Sequence, residues 1–163
     1  MKKIIYSFLT IALSFLLSFS TPLTLCAATS HARIVSEIIE YYEDGSYLSI
    51  FVTDTSPIAT RSSEFTKSGS KAYVLSNKDG VELWRFTVHG TFSVNAGVSV
   101  TCTSASHSIS ISESSWQNVS ASSYRSNHQA IGDATFKKVL LFITTETKNC
   151  NVVLSCDVNG TLS

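Results

Sequence analysis

The sequence predicts an all-β fold, a single antiparallel two-sheet β-sandwich of about eight strands, and three observations carry that expectation. Residues 84–94, WRFTVHGTFSV, alternate strictly, with Trp84, Phe86, Val88, Gly90, Phe92 and Val94 set against Arg85, Thr87, His89, Thr91 and Ser93. Alternation of this kind is the period of a strand with one buried face. Turn-forming groups containing Asp, Asn and Gly recur between the apolar runs, as short antiparallel connections require. Thr, Val, Ile and Tyr are plentiful while Lys and Glu are few, a composition that favours strands over helices.

The N-terminus is read separately. Lys2 and Lys3 precede an apolar stretch from Ile4 to Phe19; Pro22 ends it, and LCAATS follows. A basic start, an apolar centre and a small-residue exit describe a secretory signal peptide, residues 1–28, with cleavage after Ala28 or Ala27. Cys26 could otherwise be lipidated, but Leu25 stands where that processing wants a small residue. No second apolar run of about 18 residues follows, so no transmembrane segment is expected in the mature protein. Residues 29–163 then form one secreted domain of ordinary size. Removing Lys2 and Lys3 from the 12 basic side chains leaves 10 against 12 acidic ones. Without a basic stripe, no nucleic-acid partner is expected.

The elements follow in order. Residues 31–42, HARIVSEIIEYY, suit either a helix face or a strand, because Ile34, Val35, Ile38 and Ile39 satisfy both patterns. Asp44-Gly45, placed between two β-forming runs, favours a strand pair around a tight turn. Residues 55–69 carry proline, glycine and many hydroxyls without a period and read as an irregular loop. KAYVLS is a strand, Asn77–Gly80 a turn, and the alternating segment the next strand. Asn95-Ala96-Gly97 turns the chain into VSVTC. Beyond it, TSASHSISISESSW is slack, anchored only at Ile109, Ile111 and Trp116, and residues 120–128 read as loop. AIGDATF sets Ala130, Gly132 and Ala134 on one side, which suits a strand crossed closely by another layer. VLLFITT and NCNVVLSC are two further strands, and Asp157–Gly160 is a closing turn.

Candidate chemistry is sparse. His89 lies on the polar row of the alternating strand, and His107 and His128 sit among serines and asparagine in segments read as loops. A catalytic histidine needs an orienting acid and a nucleophile or metal. Neither a nucleophile elbow nor a His-Glu-x-x-His motif occurs. Glu40, Glu43 and Asp44 form one acidic cluster, most simply a solvated hairpin tip. Asp157-x-Asn159-Gly160 resembles the opening of a calcium loop but lacks the acidic ligands that would follow, so a turn is expected. No cofactor and no metal site is expected. Tyr41, Tyr42, Tyr47, Tyr73 and Tyr124 are the better lead, since an apolar ring with a hydroxyl suits sugar- and protein-binding surfaces.

Cys102, Cys150 and Cys156 survive export, and an oxidising compartment favours a disulfide. If CNVVLSC is one strand, its two cysteines lie about 20 Å apart, beyond bridging distance. Cys102 must then be one partner. Loop entropy does not choose between Cys150 and Cys156, either of which would contribute about 4 kcal/mol. Cys102, Trp116 and Cys156 also imitate the immunoglobulin Cys…Trp…Cys spacing, but Leu154 stands where that fold places a tyrosine.

Three separated stretches, SGSKAYVLSNKDGVELWRFTVHGTFSVNAGVSVTCTSASHSISISESSW, SASSYRSNHQAIGDATFKK and LSCDVNGTLS, resemble a group of small exported proteins of Gram-positive (Bacillota) bacteria. The shared motifs are Trp-x-Phe-Thr-Val-x-Gly-Thr-Phe, Thr-Cys-Thr-Ser-Ala-Ser and Cys-Asp-x-Asn-Gly-x-Leu-Ser, and they cover roughly residues 68–163. The resemblance implies a secreted bacterial single domain. It also implies a disulfide between Cys102 and Cys156, leaving Cys150 as a free thiol. It implies no activity, so no catalytic residue carries over. The expected function is that of a secreted non-enzymatic module binding extracellular glycan or protein. Alternatives are a cell-wall or glycan hydrolase using Glu113, Asp133 or a histidine, and a small antagonistic or toxin-like protein.

Overall fold

A computed structural model describes residues 33–56 and 63–163. The expected signal peptide lies outside the described residues. Eight strands run β1 Arg33–Tyr41, β2 Tyr47–Asp54, β3 Glu64–Ser76, β4 Glu82–Asn95, β5 Ser99–Ile111, β6 Trp116–Ser126, β7 Gln129–Leu140 and β8 Ile143–Ser155. They form two antiparallel sheets, β1-β2-β3-β4-β5 and β6-β7-β8, each a meander in chain order. The all-β two-sheet fold is therefore as expected.

The apolar row of β4 lines the space between the sheets. Trp84, Phe86, Val88, Phe92 and Val94 are buried there with Trp116, Phe136, Val152 and Leu154 of the smaller sheet. Trp84 stacks on Phe136 with ring centroids 4.2 Å apart and meets Trp116 edge-on at 6.1 Å. Offset and edge contacts of this kind add about 0.5–1.5 kcal/mol each to the burial itself. The small residues of β7 face the same space. A Cβ on Gly132 would overlap Val88 Cγ2, and one on Gly90 would lie 2.8 Å from the Phe92 ring and 3.0 Å from Ala130 Cβ. Close crossing of the layers, expected from these small residues, is thus present at both positions.

Several local expectations need correction. Of residues 31–42, Arg33–Tyr41 are strand, paired with β2 across a turn in which Gly45 takes φ 82°. Glu64–Gly69, within the expected loop 55–69, extend β3 instead, because β4 is long enough to pair with them and Phe65 packs against the core. The slack run after Cys102 is β5, held by pairing to β4 along its length. Residues 120–126 are strand rather than loop. Paired with β7, Ser122 and Tyr124 point outward while Ala121 packs on the core and Ser123 faces β5. VLLFITT is not one strand. Leu141 and Phe142 take φ 49° and 69° and form the turn between β7 and β8. The closing turn is present at Asp157–Gly160, where Gly160 N–H donates to Asp157 O at 3.0 Å.

Candidate binding face on the five-stranded sheet

The larger sheet buries side chains on both of its faces. Val74, Ala72, Ser49, Ser76 and Thr87 are buried, yet in register they alternate with the core residues and so face away from the smaller sheet. Three in-register rows cross this outer face. Tyr47, Ser76 and Glu82 form the first, Ile38, Ser49, Val74 and Arg85 the second, and Ser36, Phe51, Ala72 and Thr87 the third. All of these except Ala72 and Thr87 line a concave groove of about 390 Å³.

Each wall has a distinct chemistry. Arg85 Nη2 donates to Glu82 Oε2 at 2.6 Å, and Nε lies 3.2 Å from both carboxylate oxygens. The fork is thereby fixed, and its guanidinium carbon stands 5.4 Å from the Phe51 ring centre. On a β-strand scaffold this makes a planar charged pair beside an aromatic face. Tyr47 closes the groove at one end, and Tyr41 packs beside it at 5.9 Å with 71% of its surface exposed. Ser49 Oγ donates to Val74 O at 3.4 Å, fixing the floor.

The expected tyrosine surface is split by the fold. Tyr41 and Tyr47 come together at the groove, whereas Tyr42 and Tyr73 pack against the core. The Tyr42 hydroxyl donates to Glu40 Oε2 at 2.8 Å, and Lys148 Nζ sits 3.1 Å from its ring centre. Burial first, then the Glu40 carboxylate, raises its pKa. Tyr124 lies on the opposite side of the molecule, on the outer face of the small sheet beside Ile131. That second face is polar along two rows, where Asn151 Nδ2 donates to Asp133 Oδ1 at 2.7 Å and Thr135 Oγ1 to Asn149 Oδ1 at 3.0 Å.

The candidates for catalysis are dispersed. His89 Nε2 lies 3.0 Å from Ser108 Oγ on the exposed outer row. His107 is on β5, not in a loop, and its Nδ1 lies 2.9 Å from Ser123 Oγ between the sheets. Glu113 and Asp133 border separate depressions. Asp44 caps its own turn through Ser46, which holds its carboxyl below the ordinary range. Asp157 accepts the N–H groups of Thr161 at 2.7 Å and Asn159 at 2.9 Å, so its oxygen serves the turn. Among the described residues no three His, Cys, Asp or Glu side chains converge to hold a metal.

Among the described residues the three cysteines, Cys102, Cys150 and Cys156, are thiols and all are buried. Cys150 faces Ala134 in the core, and burial pushes its thiol up to about 11. Cys102 and Cys156 are both tied to the β6–β7 turn. Cys102 N–H donates to Asn127 O at 2.7 Å and Cys156 N–H to the adjacent His128 O at 3.1 Å. Burial, then the neighbouring Asp157, raises the Cys156 thiol to about 11.

Sequence reasoning passed over Phe51, Val74 and Arg85, the centre of the groove. The signal was present in LSIFV and AYVL, where apolar residues are consecutive rather than alternating. Such runs mark strands covered on both faces. Comparison with protein-family models, curated proteins and solved structures gives no match for this chain.

Proposed function

We propose that this chain is a secreted, non-enzymatic binding module whose ligand is an extracellular glycan held in the groove of the five-stranded sheet. The observation that carries the reading is the Arg85–Glu82 fork set beside Phe51 and Tyr47 in one concave, sheet-borne groove. Sugars offer apolar C–H faces that lie on aromatic rings and hydroxyls that bond to fixed charged groups. Rigid strands hold both in place before the ligand arrives, so little ordering cost is incurred on binding. Export through residues 1–28 would deliver the module to such polymers, as the motif resemblance to exported Gram-positive proteins also suggests. The same proposal includes a Cys102–Cys156 bridge after export, joining the two sheets beside the β6–β7 turn to which both cysteines are tied.

The test uses the mature chain from residue 29 on glycan arrays, peptidoglycan and whole cells, with a turnover assay on the same polymers. Retention on a glycan that falls at least tenfold in Arg85→Ala and Tyr47→Ala, with melting temperatures kept within a few degrees, supports the reading. Binding only to a protein partner, no retention at all, or hydrolysis lost on changing Glu113 or Asp133 would overturn it.

A further inference from the structure

The hairpin joining β7 and β8 ends in four large apolar side chains that the fold leaves uncovered. Leu140, Leu141, Phe142 and Ile143 are 61, 82, 102 and 66% exposed. Neither the core nor the turn accounts for them. Leu141 and Phe142 both occupy the left-handed region, where turns of this type favour Asn-Gly and bulky residues are strained. Elsewhere among the described residues such positions hold asparagine or glycine, Asn127 and Gly45, Gly80, Gly97 and Gly160. Here bulk and apolarity are retained against the turn's own preference.

The hairpin also projects. Val139 N–H donates to Ser115 O at 2.7 Å, tying the hairpin to the β5–β6 connection. Beyond it, Leu140 pairs with Ile143 around the turn. The strand continues one residue beyond Val139 before turning at Leu141 and Phe142, so the backbone of the tip reaches roughly 5 Å past the tie and the four side chains extend beyond it. Behind the apex stands a polar collar. Lys137 lies in register between Gln117 and Thr147 and has no ion pair within 4 Å among the described residues. Lys138 lies over Trp116, with its ammonium 5.9 Å from the ring centre. Lys148 is already paired to Glu146 at 2.9 Å. Asp44 and Glu113 share this end with Lys138, and with Glu146 they balance Lys137, Lys138 and Lys148, so the two lysines count by their place directly behind the apex and not through a net charge of this end.

We infer that the β7–β8 tip is a membrane-docking finger, inserting Leu140–Ile143 into the interface of a bilayer that carries anionic lipid while Lys137 and Lys138 meet the phosphate layer. A convex tip that is apolar on all sides suits a fluid apolar medium, and a backbone reach of roughly 5 Å extended by large side chains fits the shallow depth of interfacial insertion. Lysines set just behind an apolar segment extend their ammonium groups to the headgroups. This docking surface is separate from the groove and stands whether or not the groove binds a glycan. Among the described residues no helix is long and apolar enough to cross a membrane, so the finger would anchor reversibly.

The experiment is co-sedimentation of the mature chain with vesicles of phosphatidylcholine alone and of phosphatidylcholine with one quarter phosphatidylglycerol. The double variant Leu141→Asn with Phe142→Gly installs the residues the turn prefers, so it should melt no lower than the parent. It should nevertheless lose roughly 100-fold or more in partitioning to the mixed vesicles, since each buried large side chain is worth roughly tenfold or more. Lys137→Gln and Lys138→Gln should each cost roughly fivefold on anionic vesicles and almost nothing on neutral ones. Phe142→Trp should shift its emission to the blue when vesicles are added. Failure of the parent chain to bind either vesicle, undiminished binding by the Asn-Gly variant, or tip-dependent self-association without vesicle binding would each overturn the inference.

Discussion

Replacing Gly132 with alanine tests how closely the two layers cross. In an open strand the change would stabilise the fold by about 0.5–1 kcal/mol, because glycine loses more backbone freedom on folding. At Gly132 the new Cβ would overlap Val88 Cγ2 and lie 3.0 Å from Phe86 Cζ and 3.3 Å from Cε1. Phe86 and Val88 are both fully buried at 0% exposure, so neither side chain has space to retreat. Overpacking by one methyl costs about 1–3 kcal/mol, and the net expectation is destabilisation by about 1.5 kcal/mol. For a domain of this size that lowers the melting temperature by about 5 °C. Val88→Ala alone should also destabilise, by leaving a cavity. Combined with Gly132→Ala it should recover about 1 kcal/mol or more relative to additivity, since the methyl added on β7 fills the space vacated on β4. Urea titrations under reducing conditions, read by the fluorescence of the buried Trp84 and Trp116, give all four corners of the cycle. A Gly132→Ala protein as stable as the parent, or a strictly additive double variant, would refute the close crossing.

Two further outcomes follow from the cysteines. Oxidation of the mature chain should join Cys102 to Cys156 and leave Cys150 open to alkylation after unfolding. Closing a loop of roughly 55 residues contributes about 4 kcal/mol, so reductant should lower the melting temperature markedly. A peptide map linking Cys150, or three alkylated cysteines, would refute the pairing. In the reduced protein, Cys150 and Cys156 titrate near 11 when folded, above the ordinary value of 9. Protonation of these thiols therefore supports the fold fully below about pH 9 and is lost as pH rises through 11. Stability should fall over that window, and Cys150→Ala should flatten part of the fall; a pH-independent stability between 9 and 11 would contradict the burial argument.

Much of the fold was legible because alternation is a local property. The β4 row, the small residues of β7 and the glycine-bearing turns at Gly45, Gly80 and Gly160 each state their role within a few residues of sequence. Segments whose state depends on a distant partner were less legible. Glu64–Gly69 and Ser120–Ser126 look like loops because their serines, glycine and charged residues give no alternating apolar row. They are strands because β4 and β7 present unpaired backbone groups beside them, and buried N–H and C=O groups must find partners. The reverse holds for VLLFITT, where a uniformly β-forming run is broken by a turn that hydropathy alone cannot place.

The candidate site follows the same division. Tyrosines on the first hairpin were a visible lead, since residue chemistry is written in the sequence. Their separation into a groove pair, Tyr41 with Tyr47, and a core pair, Tyr42 and Tyr73, depends on strand register, and a shift of one residue would exchange the two sets. Arg85 was visible only as one member of a polar row. Its fork on Glu82 and its position over Phe51 require three strands to align. The sequence by itself determined the all-β class, the buried row of β4 and the cysteine inventory, because these depend on residue type and spacing of two. Only the tertiary structure decided which rows form a concave face, which cysteines are tied to one turn and which apolar residues stay uncovered, because these depend on contacts between residues far apart in the chain.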